Sequence, residues 1–490
     1  MRKIYIGLLF TVITSAAILT TAGPSWLRLE GAEKNKFRYM MEAPVNSPYE
    51  MARYVGWLKQ NNFDVAGYSW RDKKIEVITD DEGIKKLELA KIRGKIIQSS
   101  NSKSAPIDPR YLNPAKVEAK LKALNAQFPN LTHLEQIGTS NQGRAIWALL
   151  ISNTPDIKSA EYYQKPSIIF DGMHHAREIM TPEVVMDVAD VLLNQQTRSD
   201  ARWSQLMNNW NIWIVPMLNV DGNNIVWTQD AWWRKNARAE NGRTFGVDIN
   251  RNYDFKWQAC NGSSGSTSSD TYRGPAAASE PETQALSNLA QKVVPTGSLS
   301  YHSYSELVIY PYGCSGVFTG ENALLAKIGG ELAQLLPSDS RGGTYTPGTA
   351  WQLLYSVDGD SSSYMFGEFG AVSFTFEVNQ EFQPSYDLRE PTLIKHRKAW
   401  AYYINRLNQN LLSLKVIDGK TGQPAQAQIR IANIILSQGE KPYRTNIGGN
   451  YFKVLDPGKY TFGVVLKDGR KTQFDIEMKG APLQHVITIN

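Results

Sequence analysis

The chain has 490 residues, 42% hydrophobic and 20% charged, a globular balance that argues against disorder and a length sufficient for about three domains. Its 53 basic and 47 acidic residues leave a net charge of +6 that gathers in no block or stripe, so no nucleic-acid partner is expected. Two cysteines, Cys260 and Cys314, exclude a cysteine-ligated zinc ribbon and leave one disulfide or two free thiols open.

From the start of the chain, the basic Met1-Arg2-Lys3 precedes an apolar run from Ile4 to about Leu19, then small residues to Gly23. That order reads as a secretory signal peptide over 1–22. A membrane anchor is the rival reading, but the run is short for spanning and diluted by Thr and Ser. No Cys follows it to carry a lipid. The expectation is a secreted protein, extracellular or periplasmic, with no stable membrane insertion after cleavage.

Residues 36–98 read as β-α-β-β-α-β, the ferredoxin-like order. A strand near Phe37–Met41 leads into Ser47-Pro48-Tyr49-Glu50, a capping box with Pro at the first helical position. Two strands flank a turn at Arg71–Lys74, Asp80 or Asp81 caps a second helix, and Ile92–Ile97 returns as a strand. The polar run Ser99–Ser104 reads as a linker, which closes a unit spanning 23–104.

The block 105–411 opens with an amphipathic helix after Asn113-Pro114 and a hairpin around Ser140–Gly143. Apolar runs at Ser167–Phe170, Ile212–Met217, Gly297–Tyr301 and Val372–Phe376 suit strands buried on both faces, and Thr181-Pro182-Glu183 reads as a helix cap. The fold class expected is α/β, a mixed and largely parallel sheet flanked by helices. From 412 to 490 the helical pattern gives way to short alternating strands and Gly- or Pro-containing turns, a small β-sandwich.

Histidine is scarce, with six in the chain. His175 and Glu178 follow a buried strand, and His302 directly follows another. Strand ends are where open α/β sheets bind ligands, and two imidazoles with one carboxylate suit a catalytic zinc that keeps a fourth position open. Taken alone, His-x-x-Glu is a weak signal and a lone His is usually structural.

The run His174-His175-Ala176-Arg177-Glu178 resembles the zinc motif of the carboxypeptidase A family. Further segments match in order: Pro216–Gly222, Trp233–Asn236, Val247–Tyr253, Tyr272–Pro275, Tyr301–Ser305, Tyr355 and Phe374–Glu377. The resemblance implies a zinc metallocarboxypeptidase acting as a monomer on peptides or proteins with a free C-terminus. It implies that His175, Glu178 and His302 hold one Zn²⁺, that Asp248 orients His175, and that Glu377 is the general base. By the same resemblance Arg234 would stabilise the oxyanion, Asn250 and Arg251 would clamp the terminal carboxylate, and Tyr355 would close over the substrate. Arg177 would touch residues upstream of the scissile bond.

Ser362 falls at the position implied for the floor of the side-chain pocket, and Asp360 lies two residues away. An acid there resembles the bacterial carboxypeptidase T-like branch, which has a mixed preference, although Asp358-Gly359-Asp360 is also ordinary turn chemistry. The 36–98 unit resembles the prosegment of such zymogens, and the C-terminal unit resembles a transthyretin-like sandwich. A catalytically inactive peptide-binding homologue and a zinc amidase acting on cell-wall peptides stand as alternatives.

Overall fold

The apolar runs form the middle of an eight-stranded sheet in a computed structural model that describes residues 28–29, 37–69, 73–101, 107–194, 199–339 and 342–490. The expected signal peptide and residues 102–104 of the expected linker lie outside the described residues. Across the sheet the strands run Thr346–Thr349, Leu307–Tyr310, Val372–Val378, Gly297–Ser303, Ser167–Gly172, Asn211–Val215, Ala145–Ile151 and Thr132–Thr139. The four central strands are mutually parallel, and antiparallel pairing enters on both sides of them.

Ser167–Gly172, Asn211–Val215 and Gly297–Ser303 are buried at every residue. That burial suits the apolar runs inside the first two, whereas Gly297–Ser303 alternates with Ser and buries Ser300, whose Oγ donates to Asp171 Oδ1 at 2.6 Å. Helices Thr181–Leu193, Pro281–Val293, Asn322–Gln334, Ser361–Phe369 and Arg389–Gln409 pack around the sheet. Parallel pairing sets the ends of neighbouring strands level, so His302 and Glu377 are register partners.

The N-terminal unit has strand order Asp64–Ser69, Lys74–Thr79, Phe37–Pro44, Lys95–Asn101, with helices Pro48–Gln60 and Asp81–Leu89. Ser47 caps the first helix by accepting from the Glu50 amide at 3.0 Å, and Asp80 caps the second through Gly83 at 2.8 Å. Its last strand begins and ends later than the apolar pattern indicates. Ile92 is buried just before that strand, whereas Ser99, Ser100 and Asn101 still pair with Tyr39, Arg38 and Phe37. An edge strand pairs through its backbone, so polar side chains do not stop it.

The C-terminal unit stacks a sheet of Asn450–Val454, Leu411–Asp418 and Leu483–Ile489 on one of Tyr443–Arg444, Ala427–Ile431, Gly458–Leu466 and Lys471–Met478. Leu414, Val416, Ile429, Phe462 and Val464 fill the space between them.

One local expectation fails, and one open alternative resolves. Met180, not Thr181, occupies the cap of helix Thr181–Leu193 and makes no side-chain cap bond. Thr181 Oγ1 instead accepts from the Met173 amide at 3.0 Å and donates to the Glu178 carbonyl at 2.8 Å, closing the loop between them. Cys260 and Cys314 form a disulfide, with Cα atoms 5.7 Å apart. Among the described residues no helix is long and apolar enough to cross a membrane.

Candidate active site

The strand Ser167–Gly172 ends at Met173, whose φ of 59° turns the chain out of the sheet. Side chains from helix Val220–Thr228 and its cap hold the loop that follows. Asn219 Nδ2 donates to the His174 carbonyl and Asn223 Nδ2 to the Ala176 carbonyl, each at 3.0 Å. His175 and Glu178 are thereby aimed at His302, which lies on the neighbouring strand.

His175 Nδ1 lies 2.7 Å from Glu178 Oε1, and His302 Nδ1 lies 3.1 Å from both His175 Nδ1 and Glu178 Oε2. The three side chains are buried, and one donor atom from each falls within 4.8 Å of the others. Asp248 Oδ1 sits 3.2 Å from His175 Nε2, which commits that nitrogen and leaves Nδ1 for a cation. Burial lowers the His302 imidazole to about 4 against the pull of Glu178. Burial alone would raise the Glu178 carboxyl, but the two imidazoles hold it below the ordinary carboxylate range. Two imidazole nitrogens and a carboxylate converging on one point are a catalytic zinc's ligand types, so this donor set fits one zinc with an open position.

Asp248 organises more than His175. Its Oδ2 accepts from Arg234 Nε at 3.2 Å and Nη2 at 2.9 Å, and its Oδ1 accepts from the Asn250 amide at 3.0 Å. Burial opposes ionisation of this carboxyl, yet Arg234 and Arg251 hold it well below the usual range. Arg234, Asn250, Arg251, Tyr355, Asp360, Ser362 and Glu377 line one cleft with His175 and Glu178, while His302 lies just behind. Arg251 donates from Nη1 to the Asn250 carbonyl at 2.8 Å, and its Nε is buried without a partner.

Glu377 is half-buried beside the metal-ligand cluster. Burial raises its carboxyl well above the ordinary value and Glu178 adds to the effect, against Arg234 and Arg251. Asp360 caps helix Ser361–Phe369. Its Oδ1 accepts from Ser362 Oγ at 2.8 Å and the Ser363 amide at 2.9 Å, while its buried Oδ2 has no partner.

Arg177 does not line the cleft. It is 1% exposed and its guanidinium meets Asp64 of the N-terminal unit at 2.5 and 3.1 Å. That unit lies over the cleft. Ala66 joins the lining, Lys59 Nζ sits 3.9 Å above the Tyr355 ring, and Tyr68 lies 6.0 Å from the same ring.

Three residues without a role in the sequence analysis cluster behind the metal ligands. Asp171 Oδ1 accepts from Ser300 Oγ at 2.6 Å and lies 3.2 Å from His174 Nδ1, and His174 Nε2 lies 2.8 Å from Tyr253 Oη. The His174 ring stacks on His302 with centroids 5.2 Å apart. An Asp ending the apolar run Ile168–Phe170 was the available signal, because a carboxylate buried in a parallel strand requires a partner.

The model for the zinc carboxypeptidase (Peptidase_M14) family matches residues 117–398. Carboxypeptidase B from Homo sapiens is 31% identical over 272 residues, which is 55% of this chain and 63% of that protein. Zinc carboxypeptidase A 1 from Anopheles gambiae is 27% identical over 375 residues, 75% of this chain and 79% of that one. Carboxypeptidase A from Helicoverpa armigera superposes with a TM-score of 0.65 at 23% identity, covering 75% of this chain and 96% of that one. Thrombin activatable fibrinolysis inhibitor superposes with a TM-score of 0.63 at 20% identity, over 76% and 98% of the two chains. The fold, the convergent zinc donor set and the matched span together make this chain a member of the zinc carboxypeptidase family.

Proposed function

We propose that the chain removes single C-terminal residues from peptides and proteins, with Zn²⁺ held by His175, Glu178 and His302. The observation that carries this reading is one cleft that brings Glu377, Arg234 and Arg251 together beside that donor set. When bound, zinc supplies Lewis-acid polarisation and a water acidified to a pKa near about 7.

Glu377 accepts a proton from the attacking water and delivers it to the departing amine. Burial raises the basicity of its carboxylate, which suits both transfers. Arg234 faces the developing oxyanion as a permanent cation, held in place by Asp248. Arg251 and Asn250 take the terminal carboxylate, where a planar guanidinium makes two parallel hydrogen bonds. An internal peptide bond has no carboxylate for that clamp, which is the origin of exopeptidase action. Tyr355 covers the bound residue. Donors and base in one cleft favour catalysis over an inactive binding homologue.

The unpaired Asp360 Oδ2 at the pocket beside Ser362 favours a basic C-terminal side chain without excluding an apolar one. This is the mixed preference of the carboxypeptidase T-like branch. Residues 23–104 act as a prosegment of a secreted zymogen, supported by Ala66, Tyr68 and Lys59 over the cleft and Asp64 on Arg177. Cleavage in the polar stretch Ser99–Ser104 would uncover Arg177 for upstream substrate residues. Limited proteolysis followed by assay on blocked dipeptides ending in Lys and Leu tests all three points. Activity should appear on cleavage and vanish with chelator, and Asp360→Ala should lower the Lys/Leu ratio. An unchanged ratio in Asp360→Ala would contradict the assigned specificity.

A further inference from the structure

We propose that the C-terminal β domain sets the shape of the substrate side-chain pocket, with Glu440 as its positioning residue. The inference rests on the pocket reading above and extends it to a domain with no assigned role.

The domain grips the catalytic unit alongside the pocket helix Ser361–Phe369. The Lys441 amide donates to the Gly367 carbonyl at 3.1 Å, and Lys453 Nζ donates to the Gly370 carbonyl at 3.0 Å. Lys453 also meets Glu321 at 2.5 Å, a fully buried ion pair that Tyr443 joins at 3.2 Å.

Glu440 reaches further. Its carboxylate accepts a short hydrogen bond from Tyr312 Oη. Tyr312 has no exposure and packs against Phe255 and Phe366, with ring centroids at 5.2 and 5.8 Å. Next in the chain, the Gly313 carbonyl accepts from the Val357 amide at 2.9 Å. A Cβ at Gly313 would lie 2.6 Å from the Val357 oxygen and 3.2 Å from Asp360 Oδ2, so the backbone itself is the pocket's backing. Cys314, one residue on, is bonded to Cys260, whose loop is tied to Asp358 through the Cys260 and Gly262 amides at 3.0 Å. A movement of Tyr312 therefore shifts Gly313 against Val357 and Asp360, both of which line the cleft.

The test uses the full chain after activation, comparing wild type with Glu440→Ala, Glu440→Gln, Tyr312→Phe and Asn446→Ala. Asn446 also fastens the domain, through the Tyr163 carbonyl at 2.9 Å, but contacts no pocket residue. KM and kcat are measured on dipeptides ending in Lys and Leu, with zinc affinity measured separately. Glu440→Ala and Tyr312→Phe should each raise KM for the Lys substrate about tenfold, the scale of one lost charge-assisted hydrogen bond. Their Lys/Leu ratio should fall, kcat and zinc affinity should hold, and Glu440→Gln should restore most of the loss. Asn446→Ala should lower thermal stability without altering the ratio. An unchanged ratio in Glu440→Ala and Tyr312→Phe, or an equal change in Asn446→Ala, overturns the proposal while leaving the peptidase reading intact. A wild type that releases neither residue overturns both.

Discussion

One carboxylate, Asp248, touches His175, Arg234 and the Asn250 amide, so the residues proposed as zinc ligand, oxyanion cation and carboxylate clamp share one anchor. Asp248→Asn keeps the shape but loses the charge that holds Arg234. It should weaken zinc affinity by about 10- to 100-fold, read by competition with a chelator; unchanged zinc affinity would remove Asp248 from the site. Glu377→Gln separates binding from proton transfer. It should lower kcat by roughly 10²- to 10⁴-fold with zinc stoichiometry and KM nearly intact, and retained kcat would exclude Glu377 as the base. At this scale the sequence was legible wherever chemistry and strand ends coincide. His175, Glu178, His302 and Glu377 each sit at or just past an apolar run, and all converge. Partnerships across long separations were not legible. Nothing near Arg177 points to Asp64, 113 positions away, because opposite charges in sequence carry no address.

Helix Pro281–Val293 carries a buried acid in its first turn. Glu282 has no exposure, and one oxygen accepts from Asn236 at 3.0 Å while the other has no partner. Burial pushes this carboxyl up to about 8 against the Asn236 hydrogen bond. Unfolded, it ionises near about 4.3, so between those values the unfolded chain sheds a proton that the folded chain keeps. Stability therefore declines as pH rises through that window, by at most about 1.4 kcal/mol per pH unit from this group. Glu282→Gln should remove the decline, its Tm advantage over wild type growing from pH 5 to pH 8; parallel Tm curves would refute the assignment. Ser47 and Asp80 cap their helices as their sequence indicates, although the expected capping box stays half-formed because Glu50 accepts from the Asn46 amide at 2.8 Å instead of that of Ser47. The helix at Thr181 departs because its hydroxyl serves the Met173–Glu178 loop instead, a tertiary demand that no local pattern carries.

Over the whole molecule, the N-terminal unit is fastened on the cleft by an apolar cluster of Met40 and Ile78 with Trp232, Tyr304 and Phe382, and by charge. Burial would raise Asp64, but Arg177, with Arg234 and Arg38, holds it below the ordinary aspartate value. A depressed carboxyl contributes stability above its unfolded value, near about 3.9, and loses it as pH falls through the folded value. Acid below about pH 4 should therefore loosen this unit, seen as faster amide exchange in Asp64–Ser69 than in Ser167–Gly172. Asp64→Asn should exchange fast at every pH, and pH-independent protection in wild type would contradict the role of the pair. The elements within each unit were readable from composition and periodicity, since each unit buries a core of its own. How the units grip one another was not, because single contacts such as Tyr312 with Glu440 leave no periodic trace. The central claim joins a zinc centre to a carboxylate clamp. Its most direct test is hydrolysis of matched peptides with free and amidated C-termini by the activated chain, with and without chelator. The account predicts chelator-sensitive release of the last residue from the free peptide and little from the amide. Equal cleavage of both, or cleavage that survives zinc removal, would contradict it.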